Sequence, residues 1–391
     1  MYCGDNMKKK KLVIVTGTRA EWGLLSPLAR RLADTQGVDL GIIATNMHLS
    51  ERYGHTIDEI CSTGFTVDAC VPMDADGDDS EVARVDSMAR CMEGMARAFS
   101  RLSPDGIIIL GDRYEMLAVA STALMMRIPI IHIAGGEISE GAVDDSIRHA
   151  ITKMASLHLT ATEDFRHRVI QMGEDPSRVV NTGAIGVYNI MNEPLMDVDE
   201  LSRSIGMDLR RPTVLLTYHP VTLDPVAPDR RMAEVIEALD RFDDVNVLVT
   251  YPNNDARGSL IISMIERWAR SQPDRVHAVP SLGMKRYLSA LRCVRAVVGN
   301  SSSGLVEVPS MKIPTVNIGM RQQGRLAPSS VISCGDSADE IAAAVGRALS
   351  PEGQRGAREC QNPYYQPDTL DKMVRAILEC ELSPIKHFHD L

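Results

Sequence analysis

The stretch that decides the fold runs from Leu12 to Glu21 and reads LVIVTGTRAE. Four aliphatic residues precede a glycine-containing turn and the start of a helical pattern, which indicates a strand-turn-helix unit. Backbone N–H groups at the start of such a helix favour an anion, and Arg19 would add positive charge. The stretch has neither the glycine-rich dinucleotide fingerprint nor a P-loop, so neither of those sites is predicted.

The same alternation continues along the chain and predicts an α/β protein with two Rossmann-like, doubly wound parallel-sheet domains. A polar, proline-punctuated segment between Asn192 and Pro212 marks their boundary. We predict a first domain over 1–190, a second over 212–368, and a C-terminal helical segment, 369–391, that crosses back to the first. Ligands bind beyond the carboxyl ends of such strands, so we expect the site in a cleft between the domains.

The predicted elements are short aliphatic runs for strands and longer amphipathic runs for helices. The first-domain strands are Leu12–Thr16, Leu40–Ala44, Gly106–Leu110, Ile128–Ile133, His158–Ala161 and Val179–Thr182. The second-domain strands are Thr213–Thr217, Val245–Thr250, Val276–Val279, Ala296–Val298 and Thr315–Ile318. The helical patterns include Arg231–Phe242, Ser259–Ser271 and Thr369–Glu381.

Composition narrows the class of partner. The 391 residues are 44% hydrophobic and 24% charged, which is ample apolar material for two cores. The 52 acidic against 42 basic residues give a net charge of −10, which disfavours a nucleic-acid partner. No apolar run approaches the ~20 residues that span a bilayer, so we expect a cytoplasmic protein with no membrane partner. The eight cysteines form no C-x-x-C pair, which disfavours a zinc site.

Four acidic residues of the first domain follow two predicted strands or open the helix after them. Asp112 ends one strand, Glu137 follows the next, and Asp144 and Asp145 open a helix. Helix capping accounts for one of the two adjacent aspartates but leaves Asp112 and Glu137 unexplained. Carboxylates that alter one another's pKa values suit proton transfer to and from carbon. We therefore predict catalytic roles for Asp112, Glu137 and Asp144.

The second domain offers a serine-rich turn after a strand. Asn300–Gly304 resembles an anion nest, and Glu307, one turn into the helix predicted to follow, could accept hydrogen bonds from ribose hydroxyls. A serine N-cap with a solvated glutamate explains the same residues equally well.

Polar residues also follow two other predicted strands of this domain. His219 would face the cleft, where a histidine can neutralise a leaving phosphate or shuttle a proton. Asn253 and Asp255 follow the next strand within reach of a ligand. A structural histidine and a plain turn are the alternatives.

Seven motifs, taken in order, resemble the hydrolysing UDP-N-acetylglucosamine 2-epimerases. They are Gly17–Glu21, Gly111–Arg113, Gly135–Glu137, Asp145–His149, His219–Pro220, Pro252–Asp255 and Gly299–Ser302. The resemblance implies a glycosyltransferase-B-like fold that releases UDP and N-acetylmannosamine from the UDP-sugar, for sialic-acid synthesis. No cofactor is predicted, and no metal is required, because arginines and two helix N-termini can neutralise the diphosphate. The relatives suggest a homodimer or homotetramer. It assigns Asp112, Glu137 and Asp144 to catalysis and assigns UDP binding to Arg19, Arg113, His219, Asn253, Ser301, Ser302, Glu307 and Arg321.

Four alternatives stay open at this stage. Related non-hydrolysing epimerases carry a proline where this chain has Ala20 and a lysine soon after, which favours the hydrolysing branch. Enzymes of legionaminic-acid pathways look similar and accept UDP-2,4-diacetamido-2,4,6-trideoxyglucose. A retaining glycosyltransferase shares the two-domain scaffold but has no use for three acids near C2. A non-catalytic nucleotide-sugar sensor would not need these acids either.

Overall fold

The structure, a computed structural model, describes residues 9–51, 54–73, 80–139, 143–192, 194–221, 226–252 and 258–391. These residues form two compact units, each built on a parallel sheet. The strands are β1 (Lys10–Thr16), β2 (Val38–Thr45), β3 (Ala69–Val71), β4 (Gly106–Leu110), β5 (Ile130–Ile133), β6 (Leu157–Thr160), β7 (Val179–Asn181), β8 (Thr213–Thr217), β9 (Asn246–Thr250), β10 (Val276–Val279), β11 (Ala296–Gly299), β12 (Thr315–Ile318) and β13 (Val331–Cys334).

Helices connect most of these strands, as parallel pairing requires. They are α1 (Arg19–Ala33), α2 (Ile57–Ser62), α3 (Glu81–Leu102), α4 (Tyr114–Met125), α5 (Val143–Met154), α6 (Glu163–Gln171), α7 (Ile185–Asn192), α8 (Val198–Ile205), α9 (Pro228–Leu239), α10 (Gly258–Ser271), α11 (Gly283–Leu291), α12 (Ser303–Val306), α13 (Ala338–Leu349), α14 (Pro351–Glu359) and α15 (Thr369–Glu379). Among the described residues, none of these helices combines the length and apolar composition needed to cross a membrane.

Unit 1 contains the described parts of Met1–Glu137, Ser146–Ile185 and Gln366–Leu391. Its sheet has the order β3-β2-β1-β4-β5-β6-β7, and all neighbouring strands are parallel. Every residue of β4 is buried, as expected of a central strand covered on both faces. The order reverses between β1 and β4, so the sheet is doubly wound, as predicted.

Unit 2 contains the described parts of Ile138–Asp145 and Gly186–Tyr365. Its sheet has the order β10-β9-β8-β11-β12-β13, again parallel throughout. Here the order reverses between β8 and β11. The described residues of 138–145 lie inside the predicted first domain, yet they group with unit 2.

Two edge strands, β3 and β13, were not predicted from the sequence. β3 has three residues, and β13 is partly exposed along its length, so neither forms the continuous aliphatic run by which the other strands were identified. Helix α9 begins at Pro228, three residues before the predicted start at Arg231. Proline is favoured in the first turn of a helix because its missing N–H is not needed there.

The C-terminal helix α15 groups with unit 1. Lys10 Nζ donates to the carbonyl oxygen of Ile377 (3.0 Å), and Arg31 forms an ion pair with Asp371. These contacts join the end of the chain to β1 and α1.

A buried charge cluster in unit 1 joins β6 to the C-terminal tail. The Glu174 side chain is 2% exposed and contacts Lys153 Nζ (2.6 Å), Lys386 Nζ (2.6 Å) and His158 Nε2 (3.0 Å). Burial by itself raises the pKa of Glu174, but hydrogen bonds from these three partners outweigh it and lower the pKa to about 2. Burial lowers the pKa of His158.

We expect the stability of the fold to decrease in acid through Glu174. Its folded pKa lies below the ordinary value of 4.5, so its stabilisation is present above pH 4.5 and is lost as the pH falls toward about 2. The shift corresponds to about 3 kcal/mol. Urea unfolding across this range measures the effect, and Glu174→Gln should flatten the pH dependence relative to the exposed control Glu352→Gln. Equal pH dependence in the two variants would contradict the assignment.

Candidate functional site

The predicted site residues of unit 1 follow the carboxyl ends of β1, β4 and β5. β1 and β4 are the neighbours between which the strand order reverses, and ligands of doubly wound sheets bind outside such a reversal. Arg19 follows β1, Asp112 and Arg113 follow β4, and Glu137 follows β5. The topology therefore brings these four residues to one edge of the sheet.

In the turn after β1, the side chains of Thr18 and Glu21 accept hydrogen bonds from backbone N–H groups. Thr18 Oγ1 accepts a hydrogen bond from the N–H of Glu21 (3.2 Å), and Glu21 Oε2 accepts one from the N–H of Gly17 (2.7 Å). The N–H groups of Gly17 and Glu21 are therefore not free to bind an anion, contrary to the prediction. The side chains of Glu21 and Thr18 accept their hydrogen bonds, as in a capping box. Arg19 Nη1 donates to Glu59 Oε1 (2.9 Å).

A second buried carboxylate, which the sequence did not single out, lies beside this turn. Glu115 is fully buried, and its Oε1 accepts a hydrogen bond from Arg113 Nε (2.7 Å). A Cβ at Gly17 would lie 2.8 Å from the same oxygen, so the turn packs directly on Glu115. Burial, followed by the charge of Glu115, raises the pKa of Glu21 to about 8. Arg113, predicted to bind UDP, is thus also paired with Glu115, and its charge offsets part of the increase in the pKa of Glu21.

Arg148 joins two of the predicted catalytic residues. Its guanidinium forms an ion pair with Asp112 through Nη2 and donates to the backbone carbonyl of Glu137 through Nη1 (2.9 Å). Arg148 is 1% exposed, whereas the Asp112 side chain is 23% exposed and Glu137 is 7% exposed. A planar guanidinium can hold two oxygens in fixed geometry. The structure therefore ties the ends of β4 and β5 together around Arg148, which the sequence placed in the motif Asp145–His149 without assigning it a role.

A buried histidine contacts the backbone at the carboxyl end of β4. His132 Nε2 lies 2.8 Å from the carbonyl oxygen of Gly111, and burial lowers the pKa of His132 to about 3. The chain then turns sharply at Gly136, whose φ is +80° and where a Cβ would lie 2.4 Å from the carbonyl oxygen of Phe165. Only glycine fits this close approach. His132 and Gly136 thus constrain the backbone immediately before Asp112 and Glu137.

The two adjacent aspartates of α5 have different environments. Asp145 Oδ1 accepts a hydrogen bond from the N–H of Ser139 (2.6 Å), which is a local backbone-supporting role. Asp144 is half-buried in the first turn of α5, four residues before Arg148. Residues four apart are neighbours on one face of a helix. Asp144 therefore precedes Arg148 by one helical turn.

A buried asparagine ties β8 to β11 at the strand-order reversal of unit 2. Asn300 Oδ1 accepts from the N–H of His219 (2.7 Å), and Asn300 Nδ2 donates to the carbonyl of His219 (2.8 Å). His219 is 5% exposed. At Gly299 a Cβ would lie 1.9 Å from the carbonyl oxygen of Thr217, so the turn requires glycine.

Two further side chains converge on this turn. Arg321 Nη1 and Gln322 Nε2 donate to the carbonyl oxygen of Asn300 at 3.1 Å and 2.8 Å. Arg321 was assigned by resemblance, and Gln322 was not predicted. Ser301 and Ser302 are half-buried in the same turn. Of the second-unit residues assigned to UDP, His219, Ser301, Ser302 and Arg321 thus lie around Asn300.

Glu307 is the C-cap residue of α12, and its N–H donates to the carbonyl oxygen of Ser303 (3.0 Å), so it lies one turn after the start of the helix, as predicted, although the helix is only that one turn long. α12 ends at Val306 and a short 3₁₀ turn follows, because Pro309 has no N–H to continue the helical ladder. The Glu307 carboxylate packs on the backbone of unit 2 at Gly186, where a Cβ would lie 2.3 Å from Oε1. Asn253 and Asp255, the remaining predicted binding residues, lie outside the described residues.

Comparison with known proteins identifies the family. The family described as UDP-N-acetylglucosamine 2-epimerase matches residues 30–378. The chain belongs to the UDP-N-acetylglucosamine 2-epimerase family. The family assignment predicted from the motifs is thereby confirmed.

This epimerase-family chain resembles two curated relatives over most of its length. The GDP/UDP-N,N'-diacetylbacillosamine 2-epimerase (hydrolyzing) of Campylobacter jejuni is 38% identical over 83% of this chain and 84% of the relative. The polysialic acid biosynthesis protein P7 of Escherichia coli is 34% identical over 97% of each.

A solved structure of the family confirms the fold class. The UDP-GlcNAc 2-epimerase of Neisseria meningitidis, bound to UDP-GlcNAc, aligns with a TM-score of 0.79 over 95% of this chain and all of that chain, at 14% identity. At this identity the likeness concerns the fold alone. The predicted glycosyltransferase-B-like class, with two doubly wound parallel sheets, is therefore confirmed for this epimerase-family member.

Proposed function

We propose that this chain is a hydrolysing UDP-N-acetylglucosamine 2-epimerase, which converts UDP-N-acetylglucosamine and water into N-acetylmannosamine and UDP. The observation that carries the proposal is the Arg148 bridge between Asp112 and the backbone of Glu137 at the carboxyl edge of the unit 1 sheet. The name of the Campylobacter jejuni relative supports the hydrolysing outcome. The name of the Escherichia coli relative supports use of the product in sialic-acid synthesis.

The reaction needs proton transfer at carbon. The C2–H bond of the sugar is barely acidic until the bond from C1 to the diphosphate oxygen stretches and positive charge develops at the ring. Anti elimination then removes the C2 proton, breaks that C1–O bond, and leaves UDP and 2-acetamidoglucal. The oxygen of water adds to C1. A proton then enters C2 from the face opposite to the one from which the first proton left. C2 is thereby inverted, and the product is the manno sugar.

Three acid or base groups suffice for these steps, one on each face at C2 and one for the water. We assign Asp112 and Glu137 to the C2 protons and Asp144 to the hydration. Each positioned group typically contributes ~10²–10⁴-fold to the rate. We assign the UDP leaving group to Arg19, Arg113, Arg321 and His219, since charge-assisted hydrogen bonds neutralise a diphosphate without requiring a metal. The amides and hydroxyls of Ser301 and Ser302 would add to these contacts.

A second candidate function differs only in the sugar. The Campylobacter jejuni relative is named for N,N'-diacetylbacillosamine, which is the 2,4-diacetamido-2,4,6-trideoxy sugar. The elimination and hydration involve C1 and C2, which both substrates share. The two candidates therefore predict the same chemistry at Asp112 and Glu137 and different recognition at C4 and C6.

A proton NMR time course in D₂O separates the candidates. UDP-N-acetylglucosamine should give UDP and N-acetylmannosamine that carries deuterium at C2. Reversible formation of a UDP-linked manno sugar would instead place the enzyme in the non-hydrolysing class. Turnover of UDP-N,N'-diacetylbacillosamine alone would support the second candidate, and turnover of neither sugar would contradict both.

We expect Glu307→Ala to weaken UDP binding by about tenfold, because a carboxylate that accepts two ribose hydrogen bonds contributes at least one charge-assisted bond. Isothermal titration with UDP measures the change. Glu352→Ala, an exposed position on α14, is the control. An unaltered dissociation constant in Glu307→Ala would exclude the ribose contact.

A further inference from the structure

Two buried carboxylates of unit 1 lie at one turn, and the proposed reaction uses neither of them. Glu21 on α1 is 7% exposed, and Glu115 on α4 is 0% exposed. Both contact Gly17: its N–H donates to Glu21 Oε2 (2.7 Å), and a Cβ built on it would lie 2.8 Å from Glu115 Oε1. The fold thus brings two acidic side chains together where β1 and β4 end. We call Glu21 and Glu115 the acid pair.

The contacts of the acid pair balance one negative charge. Arg113 Nε donates to Glu115 Oε1 (2.7 Å), and the Arg113 side chain is 17% exposed. Within the part of the chain that the structure describes, Glu21 Oε1 and Glu115 Oε2 are buried and have no hydrogen-bond partner. A buried ionised carboxylate needs partners for its oxygens, and two such charges at one site repel each other. Ionisation of both members of the acid pair is therefore unfavourable.

The other titratable groups around the acid pair do not supply a second positive charge. Burial lowers the pKa of His48, which follows β2, to about 4. Burial raises the pKa of the Cys91 thiol on α3 to about 12, and the charge of Glu115 adds to that increase. Both groups are therefore neutral near pH 7. The guanidinium of Arg19 pairs with Glu59 Oε1 (2.9 Å).

We propose that the acid pair holds one proton and that this proton is coupled to the binding of UDP. The inference rests on the proposed function, which assigns UDP to Arg113. With one proton, the acid pair carries a single negative charge, and Arg113 balances it. Loss of the proton to solvent adds a second buried negative charge beside the same turn, which repels a diphosphate. Bound UDP should in turn retain the proton, because the coupling between two binding events is reciprocal.

The pKa of Glu21 sets the pH range in which this coupling is measured. Burial, followed by the charge of Glu115, raises that pKa to about 8. The wild type should therefore bind UDP about fivefold more weakly at pH 9 than at pH 7, and it should take up about half a proton per UDP bound at pH 8.5. Titration calorimetry in buffers of different ionisation enthalpy measures both quantities without turnover.

Glu21→Gln should abolish both the proton uptake and the weakening of UDP binding toward pH 9. An amide resembles the protonated acid, and its oxygen can still accept the hydrogen bond from Gly17. Glu59→Gln is the matched control, because Glu59 also pairs with an arginine of the site but its side chain is 43% exposed. This control should keep the proton uptake of the wild type. Ionisation of UDP itself contributes equally to all three proteins, so the differences report on the protein.

The outcomes separate this inference from the proposed function. UDP binding by the wild type without proton uptake at pH 8.5 would overturn the coupled proton and leave the proposed function intact. Uptake that persists in Glu21→Gln would place the proton on another group and would also overturn it. Failure of UDP to bind at any pH would contradict the proposed function and this inference together. If Glu21→Gln does not fold, Glu115→Gln removes the neighbouring charge and should move the uptake to lower pH, and an unchanged pH range would overturn the acid pair.

Discussion

Replacing Asp112 with asparagine is expected to lower kcat by about 10³-fold while UDP binding stays nearly unchanged. Asparagine has the shape of aspartate and can still accept a hydrogen bond from Arg148, but it cannot take up the proton from C2. Glu137→Gln should behave in the same way, because Glu137 is 7% exposed and its backbone shares the same guanidinium. Single-turnover rates and UDP titration separate the two effects.

Asp145→Asn is the matched control for both variants. Asp145 lies in α5, but its Oδ1 accepts a backbone hydrogen bond from Ser139, which an amide oxygen can also accept. Its turnover should therefore remain close to that of the wild type. Unchanged turnover in both Asp112→Asn and Glu137→Gln would refute the assigned roles. A loss in Asp145→Asn equal to theirs would show that the effect comes from disturbing α5.

The central strands of both sheets could be predicted from sequence because burial on two faces leaves a clear signal. Gly106–Leu110 and Thr213–Thr217 are predicted with the bounds that the structure has, and both are buried along almost all of their length. The signal is less certain at the sheet edges. The edge strands β7 and β10 were predicted, whereas β3, which has three residues, and β13, which is partly exposed along its length, were not.

The predicted site residues were found for a related reason. A polar residue directly after a buried strand must lie at the carboxyl edge of a parallel sheet, so Asp112 and His219 are visible in the sequence. The roles of Arg148, which lies in the motif Asp145–His149, and of Glu115 were not predicted, because charged residues within a helix are usually solvated. Their burial depends on which elements pack against the helix, and no local pattern specifies that. When acidic residues follow two neighbouring strands, as Asp112 and Glu137 do, an arginine in a nearby helix can still be suspected of pairing with them.

Arg148→Met is expected to destabilise the fold by about 3–5 kcal/mol and to reduce turnover. The substitution removes a guanidinium that is 1% exposed and leaves Asp112 without its ion pair and the Glu137 carbonyl without its donor. Urea unfolding measures the stability. The kcat of the variant is compared with that of the wild type in the absence of urea, where the variant is folded. Arg148→Lys keeps the charge but cannot bridge two oxygens in a fixed plane, so it should recover more stability than turnover.

This difference between the two variants distinguishes positioning from packing. If Arg148 only filled space and neutralised charge, lysine would restore kcat and stability in the same proportion. If its fork sets the distance between the ends of β4 and β5, lysine should leave kcat low while UDP binding stays normal. Arg31→Met is the control, because Arg31 forms an ion pair in which both side chains are 57% exposed, and such pairs contribute at most about 1 kcal/mol. Loss of stability in Arg148→Met no larger than in Arg31→Met would show that the bridge does not hold the two strand ends together.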